Sequence, residues 1–331
     1  MNATTAAEQK RAAKEFADFW KGKGYEKGQT QPFWLSLLRV LGVERPETAI
    51  EAEAAAWVEK SPNVEPFLRP FLGAEEFLNG GCRRCLWLVG VNPAILRGDP
   101  EIMRRISAVR ETRLGSKRAA TRKLAERPTL FGEIRQPENG NYLLVPSVSS
   151  ERRRYVPIGF VSAEVVASNL VLLVPDATLY HFGVLTLNVH MAWMRAEAGR
   201  LKSDYRYSAQ IVYNNFPWPE SENVADVKML PKPSSNSQLE TGNNGTGNTS
   251  TMATIARTAQ AILDARARYP DASLADLYDE LTMPPDLRKA HQENDRAVMA
   301  AYGFPVKTTE SECVADLFRR YQSLVAKGGG R

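Results

Sequence analysis

Lys202 and Asp204 stand two residues apart in the stretch Leu201–Pro219, LKSDYRYSAQIVYNNFPWP. A donor-only side chain beside an acceptor-only one suits the reading of a base edge, since lysine donates to guanine and aspartate accepts from cytosine. If the stretch is a strand, Lys202, Asp204 and Arg206 point to one face at a period of two. The alternative is a solvated strand edge whose charges guard against aggregation. The run after them reads as strand-like until the Pro-Trp-Pro stop, and Tyr205, Tyr207, Phe216 and Trp218 are expected to pack a core.

Positive charge is unevenly spread. The net charge is only +5, yet Met103–Lys123 holds Arg104, Arg105, Arg110, Arg113, Lys117, Arg118, Arg122 and Lys123 against one acid, Glu111. A second cluster, Arg152-Arg153-Arg154, follows Ser149-Ser150. Such patches favour a polyanion, because neutralising phosphates releases condensed counterions. A merely soluble helix face is the alternative for the longer run.

Other chemistry finds little support. Cys82 and Cys85 form a CxxC with no second pair or nearby histidine, so a zinc site is not expected. They read as two coincidental thiols on a turn before a buried strand. His181, His190 and His291 are scattered without ligand spacing and are expected to be packing or surface residues. No metal site and no catalytic residue is expected.

The elements that must position these residues can be read coarsely. The chain has 331 residues, 43% hydrophobic and 24% charged, which suits two or three globular domains. No apolar run approaches the ~18 residues of a membrane span. The first residues lack a signal-peptide pattern, so a cytoplasmic location is expected. Thr5-Ala-Ala-Glu8 resembles a capping box opening a helix, and Gln31–Leu41 a second one. Strands are expected at Leu86–Val91, Thr129–Ile134, Tyr142–Val145, Tyr155–Val161 and Leu170–Val174, with helices at Pro100–Arg113 and Val184–Glu197. The second helix would carry Val184, Leu187, Met191 and Met194 as a core stripe. The mixture reads as an α+β domain closing near Pro219.

Ser234–Thr251 is low-complexity and nearly uncharged, with Leu239 its only apolar residue. Such a segment cannot bury enough surface to offset its ordering entropy, so a disordered linker is expected over 220–253. Gly242, Gly245 and Gly247 lie in it without a preceding strand, which argues against a phosphate cradle. Beyond it an all-helical region is expected: Thr254–Tyr269, a cap signal at Ser273-Leu-Ala-Asp276, a helix opened by Pro284-Pro285 and ended by Gly303, and Ser311–Ala326. The expected domains are 1–53, 54–219, the linker and 254–331.

With these residues in view, the chain resembles MmeI-like type II restriction–modification proteins, also known as class I S-adenosylmethionine-dependent, adenine-specific DNA methyltransferases. Three blocks carry the likeness. FADFWKGKGYEKGQTQPFWLSLLRVLGV is similar to the family's N-terminus. The span from FLRPFLGAEEFLNG to NNFPWP, including RKLAERPTLFGEIRQP, SSERRRYVPIGF and ATLYHFGVLT, is similar to the target recognition domain. AQAILDARARYPDASLADLYDELTMPPDLRKAHQENDRAV is similar to the C-terminal helices.

The family also carries a metal-dependent nuclease with a Glu-x-Lys and a methyltransferase with a glycine-rich cofactor loop and Asn-Pro-Pro-Tyr. Here the only Glu-x-Lys is Glu8-Gln9-Lys10, with no acid upstream. The nearest strings to the tetrad, Asn92-Pro93-Ala94 and Asn215-Phe216-Pro217, lack its second proline and its aromatic. The resemblance therefore implies a longer ancestor from which the nuclease core, connector and methyltransferase were lost, joining residue 53 or so to the recognition domain. No cofactor is expected in this chain, although the full-length family uses S-adenosylmethionine.

Residue by residue, the likeness implies that Lys202 and Asp204 read one base pair, a G·C pair in this combination. Ser149, Ser150, Arg152, Arg153 and Arg154 become candidate phosphate clamps, with Arg113, Lys117, Arg118, Arg122 and Lys123 as weaker ones. The implied function is a DNA-binding recognition fragment whose partner is double-stranded DNA. Two alternatives stay open: a specificity partner of a separate methyltransferase chain, or an interaction fragment without DNA function.

Overall fold

The computed structural model describes residue 14 and residues 48–219 and 246–328. Both helices expected before residue 48, and most of the expected linker, lie outside these residues. In chain order the helices are α1 (Glu51–Lys60), α2 (Ala74–Asn79), α3 (Pro93–Gly98), α4 (Pro100–Leu114), α5 (Ala119–Lys123), α6 (Leu179–Leu185) and α7 (Asn188–Glu197). After them come α8 (Thr246–Ala267), α9 (Leu274–Leu277), α10 (Pro285–Tyr302) and α11 (Glu310–Gly328). The strands are β1 (Thr48–Ile50), β2 (Leu68–Leu72), β3 (Arg83–Leu86), β4 (Asn141–Pro146) and β5 (Val148–Ser149). The rest are β6 (Gly159–Ser162), β7 (Val166–Ala167), β8 (Val171–Pro175), β9 (Gly199–Leu201) and β10 (Asp204–Arg206). Small sheets mixed with helices make an α+β fold, as expected.

The chain divides into two compact units. Among the described residues from 48 on, the first comprises 48–68 with 83–132 and the second 69–82 with 133–219 and 246–328. In the first, β1 pairs antiparallel with β3, and Ala54, Trp57, Val64, Leu88, Leu96 and Ile102 form a core. Asp99 opens α4: its Oδ1 accepts from the Glu101 and Ile102 amides at 2.9 and 3.0 Å, while Oδ2 accepts from Ser61 Oγ. The Ser61 bond, with those amides, holds the carboxyl below its usual pKa despite burial. A charged cap at a helix N-terminus satisfies otherwise orphaned donors.

Two expected strands of this unit are corrected. The strand stops at Leu86, and a turn with Gly90 at φ +74° replaces the expected continuation to Val91. Residues 129–134 form no strand. The carbonyls of Leu124, Arg127 and Leu130 accept instead from the Arg113 guanidinium, at 2.8–3.0 Å. Backbone turns also close this segment, since Arg127 N donates to Leu124 O at 3.1 Å and Leu130 N to Arg127 O at 3.2 Å.

In the second unit β4 is the middle strand of β6-β4-β8, antiparallel to both neighbours. Its YLLV run is buried throughout, which explains continuous rather than alternating hydrophobicity. β5-β10-β9 forms a separate antiparallel sheet. Tyr155–Val161 was expected as a strand, but only its end, as β6, pairs; Tyr155 and Val156 are buried in the core instead.

The expected helix over Val184–Glu197 is two helices. α6 opens earlier, at Leu179, where His181 Nδ1 accepts from the Thr178 amide at 3.0 Å. It ends at Leu185; Thr186 Oγ1 bonds back to Phe182 O at 2.8 Å, and extended Leu187 leads into α7. The stripe of Val184, Leu187, Met191 and Met194 is nonetheless wholly buried.

That stripe packs with Ile255, Ala259, Leu287, Val298 and Leu317 from the C-terminal helices in one core. Hence the segments expected as separate domains share their interior in this unit. Gly183 shows how close they come: a Cβ there would lie 2.8 Å from Ile255 and 3.1 Å from Ala259. α8 begins at Thr246, eight residues before the expected start, and takes in Gly247. Ser273 caps α9 by accepting from the Asp276 amide at 3.1 Å, and Gly303 at φ +75° ends α10, both as expected.

Candidate nucleic-acid interface

β9 and β10 form a tight hairpin whose two turn residues are Lys202 and Ser203. Lys202 occupies the first of these positions at φ +57°. Positive φ there is what primed hairpin turns demand, and a non-glycine residue adopts it at some cost. This corrects the reading of Lys202 as a strand residue: it sits at the apex, while Asp204 opens β10. Asp204 and Arg206 alternate with buried Tyr205 and Tyr207, so the two charges share the outward face. The following SAQIVY segment is a wide helical turn at Ala209–Tyr213 and not the expected strand; Asn214 N bonds to Ala209 O at 2.9 Å.

β10 also pairs with β5, placing Tyr205 opposite Ser149 and Arg206 opposite Val148. Through this pairing the fold brings Ser149–Arg154 to the hairpin. Ser149 is 3% exposed and its Oγ is enclosed, which removes it as a phosphate ligand. Ser150 shapes the turn that follows: its carbonyl accepts from Arg153 N at 3.1 Å and its Oγ from Arg152 N at 3.4 Å. Arg152 and Arg154 are exposed on this turn and Arg153 is half-buried. Burial lowers the Arg153 pKa, opposed by the carboxylates of Asp279 and Asp204.

The turn is anchored from below. Tyr155 donates from its OH to Asp295 Oδ2 at 2.8 Å, and its ring stacks on His291 at 4.2 Å between centroids. Asp295 also accepts from Asn188 N and Nδ2 at 2.8 and 2.7 Å. Burial raises this carboxyl to about 6 despite those bonds. The three histidines all lie in the interior of this unit. Burial lowers His181 to about 4 and His190 to about 3, and drives His291 well below its usual value. Tyr207 is tied to His190 at 2.8 Å, and Phe216 packs edge-on to the same ring at 4.5 Å. The expectation of core aromatics holds.

In the first unit, the basic run of α4 and α5 is partly consumed. Arg113 is 7% exposed and spends its guanidinium on three carbonyls, so it is corrected from phosphate ligand to structural residue. Arg105 is buried against Trp57, 3.2 Å from the ring centroid, and pairs with Glu101 at 2.9 Å. Arg122 is exposed, but its Nη1 donates to the carbonyls of Ser116 and Lys117, both at 2.9 Å. Lys117, Arg118 and Lys123 are exposed.

Both strings nearest to Asn-Pro-Pro-Tyr have structural roles. Asn92 Oδ1 accepts from Ala94 N at 2.9 Å and caps α3, while Phe216 is part of the core. Among the described residues no cluster of acids, cysteines or histidines could hold a metal, and no helix is long and apolar enough to cross a membrane. Cys85 is buried in β3 and Cys82 is exposed, so the two thiols occupy different surroundings. Arg200 and Glu151, which bear on the hairpin, were missed by sequence reasoning; their only signal was that Arg200 precedes Lys202 by two residues.

A mixed fold that presents a charged hairpin beside an arginine turn, packed on a helical bundle, has known counterparts. Residues 48–220 match the family model "MmeI, target recognition domain", and residues 248–327 match "MmeI, C-terminal domain". The chain belongs to the MmeI family, through these two domains. It is 35% identical over 270 residues to DNA methyltransferase A of Bacillus subtilis (strain 168), a span covering 82% of this chain and 28% of that protein. It also resembles the type IIL restriction–modification enzyme MmeI, solved in complex with DNA, at 38% identity and a TM-score of 0.74, covering 85% of this chain and 34% of the enzyme. The chain thus spans about a third or less of the relatives it matches.

Proposed function

We propose that this chain is a DNA target-recognition module that binds duplex DNA, with Lys202 and Asp204 reading one G·C pair from the hairpin tip. Lys202 would donate to guanine, and Asp204 would accept from cytosine or order Lys202. Ser150, Arg152, Arg153 and Arg154 would set register on the phosphates, and Lys117, Arg118, Arg122 and Lys123 would add sequence-independent affinity. The observation that carries this reading is the pairing of β5 with β10, which puts the arginine turn and the charged hairpin on one sheet. The DNA-bound state of MmeI supports it.

Methyl transfer from S-adenosylmethionine is assigned to residues outside this sequence, since the strings closest to the adenine-binding tetrad here cap a helix or fill a core. In the alternative reading, the chain is the specificity partner of a separately encoded methyltransferase. Anisotropy titrations on random duplexes across a salt series test the reading. Affinity falling steeply and linearly in log–log form is expected; affinity indifferent to salt would refute it.

A further inference from the structure

Arg200 makes three contacts around the hairpin. In register it faces Tyr205, which in turn faces Ser149, so its side chain lies on the side of the sheet opposite Asp204 and Arg206. Its guanidinium lies 3.8 Å from the centroid of the Tyr205 ring. Its Nη1 donates to the carbonyl of Ser203, the second turn residue, at 2.8 Å. It also pairs with Glu151 at 3.6 Å, at the head of the turn that presents Arg152–Arg154.

Each partner is on a different part of the proposed interface: the strand behind Asp204, the apex that carries Lys202, and the arginine turn. We infer that Arg200 is a positioning residue, a strut that fixes the hairpin apex relative to the arginine turn so that base reading and phosphate register are set together. The pair with Glu151 is about half exposed on both sides, and such pairs add little stability. What the strut supplies is a defined place for an apex held at positive φ. A planar guanidinium can stack and donate in one plane; an ammonium cannot do both.

This inference rests on the DNA-reading proposal, but its physical core is testable without DNA. In the unliganded protein, amide exchange of Asp204, which pairs with Leu201 across the hairpin, is expected to quicken roughly tenfold in Arg200→Ala, with the melting temperature unchanged. Unaltered exchange would overturn the strut whatever the protein binds. On DNA, Arg200→Ala is expected to lower the ratio of affinities for selected over random duplexes about tenfold. Arg200→Lys should not restore the ratio, and Glu151→Gln should lose a smaller part of it. An equal loss on every duplex, with the salt slope reduced by about one, would instead make Arg200 a phosphate ligand and overturn the inference. If the wild-type protein selects no sequence while exchange still responds to Arg200→Ala, the strut stands and the base-reading proposal falls.

Discussion

The two basic clusters of this chain look alike in sequence and differ in what the fold does with them. In the first unit, α4 and α5 turn part of their charge inward: Arg113 onto three carbonyls, Arg105 onto Trp57 and Glu101. In the second, Arg152 and Arg154 stand exposed on a turn whose backbone and anchoring tyrosine are tied down by other groups. Charge count alone does not measure availability to a phosphate. A guanidinium with five donors is equally suited to closing a loop, and burial decides between the uses.

The widest difference between the units should appear in acid. All three histidines lie in the second unit, where burial holds them below 6.5. The native state then binds fewer protons than the unfolded chain as pH falls through 6.5, so stability is lost on acidification, about 1.4 kcal/mol per pH unit for each histidine. Asp295, raised to about 6, works oppositely: its contribution is full below the unfolded value near 3.8 and is lost as pH rises through 6. The net loss between pH 7 and pH 5 is on the order of 4 kcal/mol. Urea midpoints at the two pH values read it, and equal midpoints would contradict the buried neutral histidines.

Next in size, Arg113→Ala should cost about 3 kcal/mol by removing a buried side chain together with its three hydrogen bonds to the carbonyls of Leu124, Arg127 and Leu130. Arg118→Ala, on an exposed residue of the same run, should stay within about 0.5 kcal/mol. Chemical denaturation that finds the two equal would erase the contrast drawn within that run. Smaller still, removing one phosphate ligand should reduce the salt slope of DNA binding by about one. Arg152→Ala is expected to do so, and Arg113→Ala, wherever the protein remains folded, is not. A reduced slope from Arg113→Ala would return that residue to the interface.

Much of the second unit was legible in the sequence. Continuous apolar runs announced β4 and β8, a glycine marked the end of α10, and the Val184–Met194 stripe is core. What escaped depended on tertiary partners. Nothing local says that Thr186 bonds back where a helix ends, or that Arg113 turns inward onto three carbonyls. The period-two reading of Lys202, Asp204 and Arg206 failed at its first member because the turn begins there. Ser149 lost its expected role because β5 pairs with β10 and turns it toward the interior. Arg200 was silent for the same reason, since its meaning lies in a cross-strand register.

The central claim is that the hairpin tip selects a base pair, and exchanging its two charges tests it most directly. Duplexes selected from a random pool by the wild-type chain should share a motif, and Lys202→Glu with Asp204→Arg should change the preferred base at one position with nonspecific affinity nearly intact. A shared motif unchanged by the exchange, or affinity lost equally on every duplex, would contradict it.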